Sequence, residues 1–294
     1  MNLLRPCGCL LAATTLAFAQ CDLQPTATGR GLPSLDDSAG GIVEWDPDGQ
    51  GPLGPHLVVS GVFTLAGDLP ANRIAMFDPD TDQWSPLGDI GGLVQAFVVL
   101  PNGLLLAGGQ FASPSPNGST LKVWTGSAWS AAIPQPPGSG VLALAVAPNG
   151  DLVVSSGTGT PWSVHRFGPN GWQTFGTATG SAFPGFAVVR DLAFASNGDL
   201  LVAGVFGAVD GVAANNVARW DGSSWSALGN GVDGSVRDLL VTSTGDLYVG
   251  GLFTTGSPAQ NANIARWNGT SWQAVGGGTQ GVLPYAAEVH ALLE

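Results

Sequence analysis

One apolar segment recurs five times at almost constant spacing, and that spacing restricts the chain to few architectures. Leu57-Val58-Val59-Ser60-Gly61-Val62-Phe63 is followed by Leu105 to Phe111, Leu152 to Thr158, Leu200 to Phe206 and Leu247 to Phe253. The last position falls at 63, 111, 158, 206 and 253, a period of 47 or 48 residues. Such a period marks a repeat in which each unit is one supersecondary module. The fourth copy shows the module best. Val189-Arg190-Asp191-Leu192-Ala193-Phe194 is an apolar, strand-forming run, followed by Ser196-Asn197-Gly198-Asp199. Asn-Gly suits a tight hairpin because both residues tolerate positive φ. Leu200 to Phe206 is the second strand, Asn216 to Trp220 the third, Asp221-Gly222-Ser223-Ser224 a turn, and Trp225 to Gly229 the fourth. No window carries a helical period of useful length.

Four short strands per repeat predict an all-β fold, a β-propeller of four-stranded blades. The expectation is five full repeats of about 47 residues within 40–294, as a five-bladed ring or as part of a larger propeller. Gly31-Leu32-Pro33-Ser34-Leu35, in the N-terminal segment 20–39, reads as a possible closing strand. Val289-His290-Ala291-Leu292-Leu293 matches the first strand of a sixth copy. Composition agrees, with 45 Gly, 21 Pro and 10 Trp but one Lys and three Glu. Long surface helices draw on Lys and Glu, so a mostly helical protein is excluded. Eight tryptophans fall on two repeating positions, as in Trp124/Trp129, Trp220/Trp225 and Trp267/Trp272, with Phe77/Trp84 and Phe167/Trp172 completing the set. Large rings recurring once per unit suit the wedge between blades better than solvent-facing sugar platforms.

Gly108-Gly109 and Gly250-Gly251, with the aromatic residue and Trp that bracket the later turn, resemble Kelch repeats. Phe77-Asp78-Pro79-Asp80-Thr81-Asp82-Gln83-Trp84 is the most Kelch-like stretch. The shorter form Asn-x-x-Ala-Arg-Trp-Asp-Gly-Ser-Ser-Trp, at Asn215 to Trp225, is similar to the repeats of fungal cortical cell-polarity markers and related bacterial secreted proteins. The resemblance covers roughly residues 40 to 280 and implies fold more than function. The third copy departs from it, with Ser155-Ser156 for the glycine pair and Thr158 for Phe.

The first nineteen residues read as a secretory signal peptide. Arg5 precedes a mostly apolar run from Cys9 to Phe18, and Ala17-Phe18-Ala19 forms a cleavage site before Gln20. A lipid anchor at Cys21 is the alternative. The expected location is therefore secreted or cell envelope. A net charge of −12 offers no basic footprint, so no nucleic-acid partner is expected. No further apolar run is long enough for a transmembrane helix. A monomer is expected.

No catalytic constellation rises above the repeat. Asp78, Asp80 and Asp82 have the alternating carboxylates of a calcium loop, yet they fall at a turn that favours Asp for backbone reasons. No other cofactor is indicated. His56, His165 and His290 occupy different repeat positions. Arg166, Arg219 and Arg266 recur just before the third-strand aromatic, which suggests blade-stabilising pairs. The loops between second and third strands vary most, so ligand contacts are expected there: Trp162, Asp210, Asn215, Asn261 and Asn72. The leading reading is an exported, non-catalytic propeller that binds a protein or glycan through those loops. The alternatives are a polysaccharide hydrolase or lyase with axial Asp residues, and a structural repeat module of a larger envelope protein.

Overall fold

The computed structural model describes residues 35–49, 51–112, 119–131, 134–157, 159, 161–180, 186–254, 263–275 and 289–292. The signal segment, Cys21 and Asn261 lie outside this set. The fold is a five-bladed β-propeller whose blades are antiparallel four-stranded meanders. Blade one comprises Ala39–Trp45, His56–Gly61, Ile74–Asp78 and Gln83–Pro86. Blade two comprises Gly92–Val99, Leu105–Phe111, Ser119–Trp124 and Trp129–Ser130. Blade three comprises Gly140–Val146, Leu152–Gly157, Ser163–Gly168 and Gly171–Thr179. Blade four comprises Val188–Phe194, Leu200–Val205, Val217–Trp220 and Trp225–Ala227. Blade five comprises Ser235–Val241, Leu247–Leu252, Ile264–Trp267 and Trp272–Ala274. The first strands of successive blades pack against one another, which places them innermost.

The apolar core lies between blades. Trp45, Val58 and Ile74 of blade one meet Leu105, Ala107 and Phe111 of blade two. Leu106, Leu121 and Val123 of blade two meet Val141, Leu144 and Val154 of blade three. Corresponding clusters fill the boundaries between blades three and four and between four and five. The second strands of blades two, three and four are therefore covered on both sides, and Leu200–Val205 is buried along its whole length. This explains why those segments are continuous apolar runs instead of alternating ones.

Each first strand carries an irregularity at the same place, opposite the position of the glycine pair that blades two and five carry as Gly108-Gly109 and Gly250-Gly251. The second glycine of that pair is held by close approach. A Cβ on Gly109, Gly251 or the equivalent Gly204 would stand 2.1 Å from a first-strand carbonyl oxygen, so strand and bulge would have to move apart to admit one. Blade three carries serines there. Ser155 Oγ donates to Val189 O at 2.7 Å, across the boundary to blade four, and Ser156 Oγ donates to Pro137 O at 2.5 Å.

The fourth-strand tryptophans clasp the blades together. Trp129 Nε1 donates to Leu87 O, Trp172 to Pro134 O and Trp225 to Phe175 O, each at 2.7 Å, and Trp272 donates to Leu228 O at 3.0 Å. Every donor lies one blade after its acceptor. Each ring also packs, tilted, on the third-strand aromatic at 5.0–5.5 Å between centroids.

At the chain's ends, Leu35 forms an antiparallel bridge to Ala66, as Ala178 pairs with Val209 between blades three and four. Val289 N donates to Gly251 O at 3.1 Å, so 289–292 lies beside blade five.

Candidate ligand-binding groove

An antiparallel meander puts the turns between strands one and two, and between three and four, at one end of the propeller. The variable loops between strands two and three lie at the other end. A cavity of about 400 Å³ opens at the first end, between blades three and four, within the range of small-ligand sites. Blade three supplies Asn149 from its first turn, Arg166, and Gln173 and Phe175 from its fourth strand. Blade four supplies Phe194, Trp220 and the turn glycines Gly198 and Gly222.

The local sequence explains why the groove is aromatic here. Phe175 stands where blades one and four have Leu87 and Leu228, and its carbonyl is the acceptor for Trp225. Its ring lies parallel to Trp225, 5.9 Å between centroids and 9° apart, and tilted against Trp220 at 5.5 Å. Phe194 closes the first strand of blade four, where blades three and five have Val146 and Val241. Val153 in the wall replaces the larger Leu106 and Leu201 of neighbouring blades.

The polar rim is pre-ordered. Arg166 directs Nε and Nη2 to Asp151 Oδ2 at 2.6 and 2.5 Å. Asn149 Nδ2 donates to the same oxygen at 3.0 Å, and Asn149 Oδ1 accepts the Asp151 N–H at 3.2 Å. The Asn149 hydrogen bond, then the Arg166 hydrogen bond and charge, hold the Asp151 carboxyl below the usual carboxylate range. The same ion pair recurs as Arg219–Asp199 and Arg266–Asp246, so its origin is the repeat. Only in blade three does it border this groove. A smaller cavity of about 190 Å³ adjoins it around Asp151, Gly168, Pro169 and Asn170, sharing Arg166 and Gln173 with the larger one.

The residues singled out from sequence lie elsewhere. Trp162 is half-buried on the backbone of Gly157 and near Gly140, and its backbone N–H donates to Ala187 O at 3.2 Å. Asn215 Nδ2 donates to Asn230 O at 2.9 Å. Asp210 is exposed at a hairpin tip with φ 50°, and Asn72 is exposed in the loop of blade one. None of these four lines either of the two cavities.

Asp78 uses its carboxylate within its own turn, accepting Asp80 N at 2.9 Å and Thr81 Oγ1 at 2.7 Å. Asp82 occupies a left-handed position with φ 55°. Among the described residues no group of three or more His, Cys, Asp or Glu is arranged to hold a metal, Asp78, Asp80 and Asp82 included.

Near the axis, sequence reading missed a carboxyl pair. Asp191 and Asp238 occupy equivalent first-strand positions and are hydrogen-bonded to each other. Asp191 Oδ1 accepts Leu192 N at 2.8 Å and Oδ2 accepts Leu239 N at 2.7 Å. Asp238 Oδ2 accepts Leu292 N at 2.5 Å. Burial, and then the neighbouring Asp238 charge, push the Asp191 carboxyl well above its ordinary range. His165 is buried, with Nδ1 2.7 Å from Thr174 Oγ1, and burial lowers its pKa.

No protein-family model matches the chain, and no curated protein does. Solved structures do. Virginiamycin B lyase from Staphylococcus aureus is 11% identical over 79% of this chain and 68% of its own, with a TM-score of 0.48. The extracellular domain assigned to a hybrid two-component system of B. thetaiotaomicron is 11% identical, covering 81% of this chain and 34% of its own at a TM-score of 0.44. The WD40 β-propeller domain of Doa1 is 16% identical, covering 72% and 59% at a TM-score of 0.43. None of them brings a ligand or an activity to this chain. No helix among the described residues is long and apolar enough to cross a membrane.

Proposed function

We propose that this chain is an exported, non-catalytic β-propeller that holds a protein or glycan ligand in the groove between blades three and four. The observation that carries this reading is the groove itself. Three aromatic side chains from two blades, Phe175, Phe194 and Trp220, meet the polar side chains of Asn149, Arg166 and Gln173 in one open cavity. Apolar walls with a few convergent polar groups are the general form of a small-ligand site. The loop face carries less of the reading, because Trp162 and Asn215 are engaged in packing and hydrogen bonds. Export rests on the signal-like first nineteen residues, and the Kelch-like ancestry on the repeat residues alone.

The axial carboxyls support binding over glycoside hydrolysis. Retaining and inverting glycosidases hold two carboxyl groups about 5–9.5 Å apart, with one oxygen free for the sugar or water. Asp191 and Asp238 instead hydrogen-bond to each other, and they accept the backbone N–H groups of Leu239 and Leu292. Probing glycan and peptide arrays with the wild-type chain and with Gln173→Trp tests the proposal. Binding that the bulky rim residue abolishes, with intact ligand recovered, is the expected result. Binding untouched by Gln173→Trp contradicts the groove, and a shortened ligand contradicts a non-catalytic role.

A further inference from the structure

We infer that the groove is a two-compartment site for a neutral oligosaccharide, with one pyranose ring against the aromatic wall and the next unit in the polar compartment. This inference rests on the groove being the binding site.

The larger compartment has Trp220, Phe175 and Phe194 in its wall. The C–H face of a pyranose ring is apolar and suits such a wall, while its hydroxyls need donors and acceptors at the edge. Gln173 lines both compartments and supplies an amide that both donates and accepts. The smaller compartment is polar, and Arg166 stands between the two.

The charge of the ligand follows from the ion pair. Both contacting nitrogens of Arg166 end on Asp151 Oδ2, which also takes the Asn149 amide. The guanidinium is therefore already neutralised by a carboxylate that remains ionised at neutral pH. An anionic ligand would set its charge beside the Asp151 carboxylate and bring it to a chain of net charge −12. A neutral sugar does neither. Asp151 Oδ1 receives no hydrogen bond from the described residues, so it can accept a sugar hydroxyl beside the guanidinium donors. A carboxylate and an adjoining cation in fixed geometry suit a pair of vicinal hydroxyls.

Two adjoining compartments imply that affinity grows with chain length. Cellohexaose, mannohexaose, xylohexaose and maltohexaose, with the matching monosaccharides, are the probes, set against an oligogalacturonate and a peptide array. Calorimetry gives affinity, and a tryptophan emission change that Trp220→Leu removes reports on Trp220. The expected result is that one neutral hexaose binds, about tenfold or more above its monosaccharide, and shifts the emission. Raising the salt to about 0.5 M should leave that binding unchanged, since no charge is exchanged. Gln173→Ala should weaken it about three- to tenfold, the worth of one or two hydrogen bonds. Trp220→Leu should weaken it about tenfold or more. Because Trp220 also packs between blades, the exposed Gln173 keeps the test decisive if Trp220→Leu fails to fold.

Preference for the oligogalacturonate, or capture of a peptide in place of any sugar, overturns the neutral-sugar assignment. If Gln173→Trp blocks that other ligand, the groove survives and only the ligand class falls. Sugar binding that ignores both Gln173→Ala and Gln173→Trp overturns the site as well.

Discussion

Asp191 Oδ2 accepts the backbone N–H of Leu239 at 2.7 Å, a hydrogen bond that leaves blade four and ends on the first strand of blade five. One blade further, Asp238 makes the same bond to Leu292. The two carboxyls also contact each other, and Asp191 stays protonated well above the usual carboxylate range. The innermost strands are thus joined by side chains, at the point where each strand's irregularity interrupts its own ladder.

This pairing gives stability a defined pH dependence. A carboxyl whose folded pKa is raised contributes fully below its unfolded value of about 4 and loses that contribution as pH rises through the folded value. Asp191→Ala leaves the Leu192 and Leu239 N–H groups without their acceptor, a cost of about 2–3 kcal/mol at pH 3.5. Above that pH the wild type loses the Asp191 contribution and the variant does not. The difference between the two should shrink steadily toward pH 8 in urea denaturation. A difference that grows with pH would contradict the assignment. Asp36, Asp78, Asp151, Asp221 and Asp246 have lowered pKa values and act in the opposite sense, losing their contribution as pH falls. They are common to both proteins and cancel in the comparison.

The indole clasps separate ring packing from hydrogen bonding. Trp225→Phe keeps a ring beside Phe175 and removes the donor to Phe175 O, with an expected loss of about 1 kcal/mol. Trp225→Ala removes both and should cost about 3–5 kcal/mol. Denaturant midpoints of the two variants check the order. Equal losses would show that the ring packing contributes nothing, and an unchanged midpoint for Trp225→Phe would show the same of the N–H.

Two glycines of the fourth repeat should behave differently. Gly198 sits at φ 88° with open space around it, so Gly198→Ala carries only backbone strain of about 1–2 kcal/mol. A Cβ on Gly204 would lie 2.1 Å from Val188 O, and strand and bulge must move apart to admit it. Gly204→Ala should cost clearly more, beyond about 2 kcal/mol. Thermal melts decide the matter, and a milder effect at Gly204 would contradict the observed closeness.

Much of this was legible in the sequence because the fold is local and repeated. The five copies of the second strand, the Asn-Gly turns and the paired aromatics gave the blades their order before any coordinates. The Arg166, Arg219 and Arg266 partners were foreshadowed by their phase, and they are the Asp residues that end the first turns. The groove was not legible. It arises where blade three meets blade four, and its wall combines Phe175, Phe194 and Trp220, which are 19 to 45 residues apart. The available signal was a departure from the repeat: Phe175 in place of Leu, and Phe194 in place of Val. Loop variability pointed to the opposite end, where Asn215 and Trp162 proved to be held by neighbouring backbone. Asp191 and Asp238 were visible as a recurring Arg-Asp pair, but their contact depends on how tightly first strands converge at the axis.

The most direct measurement is a crystal structure of the chain grown with the tightest-binding neutral hexaose. Sugar density is expected between blades three and four, one ring against Trp220 and the next within hydrogen-bonding reach of Gln173 and the Arg166–Asp151 pair. Density seated instead among the loops that carry Asp210 and Asn72, with this groove filled only by water, would contradict it.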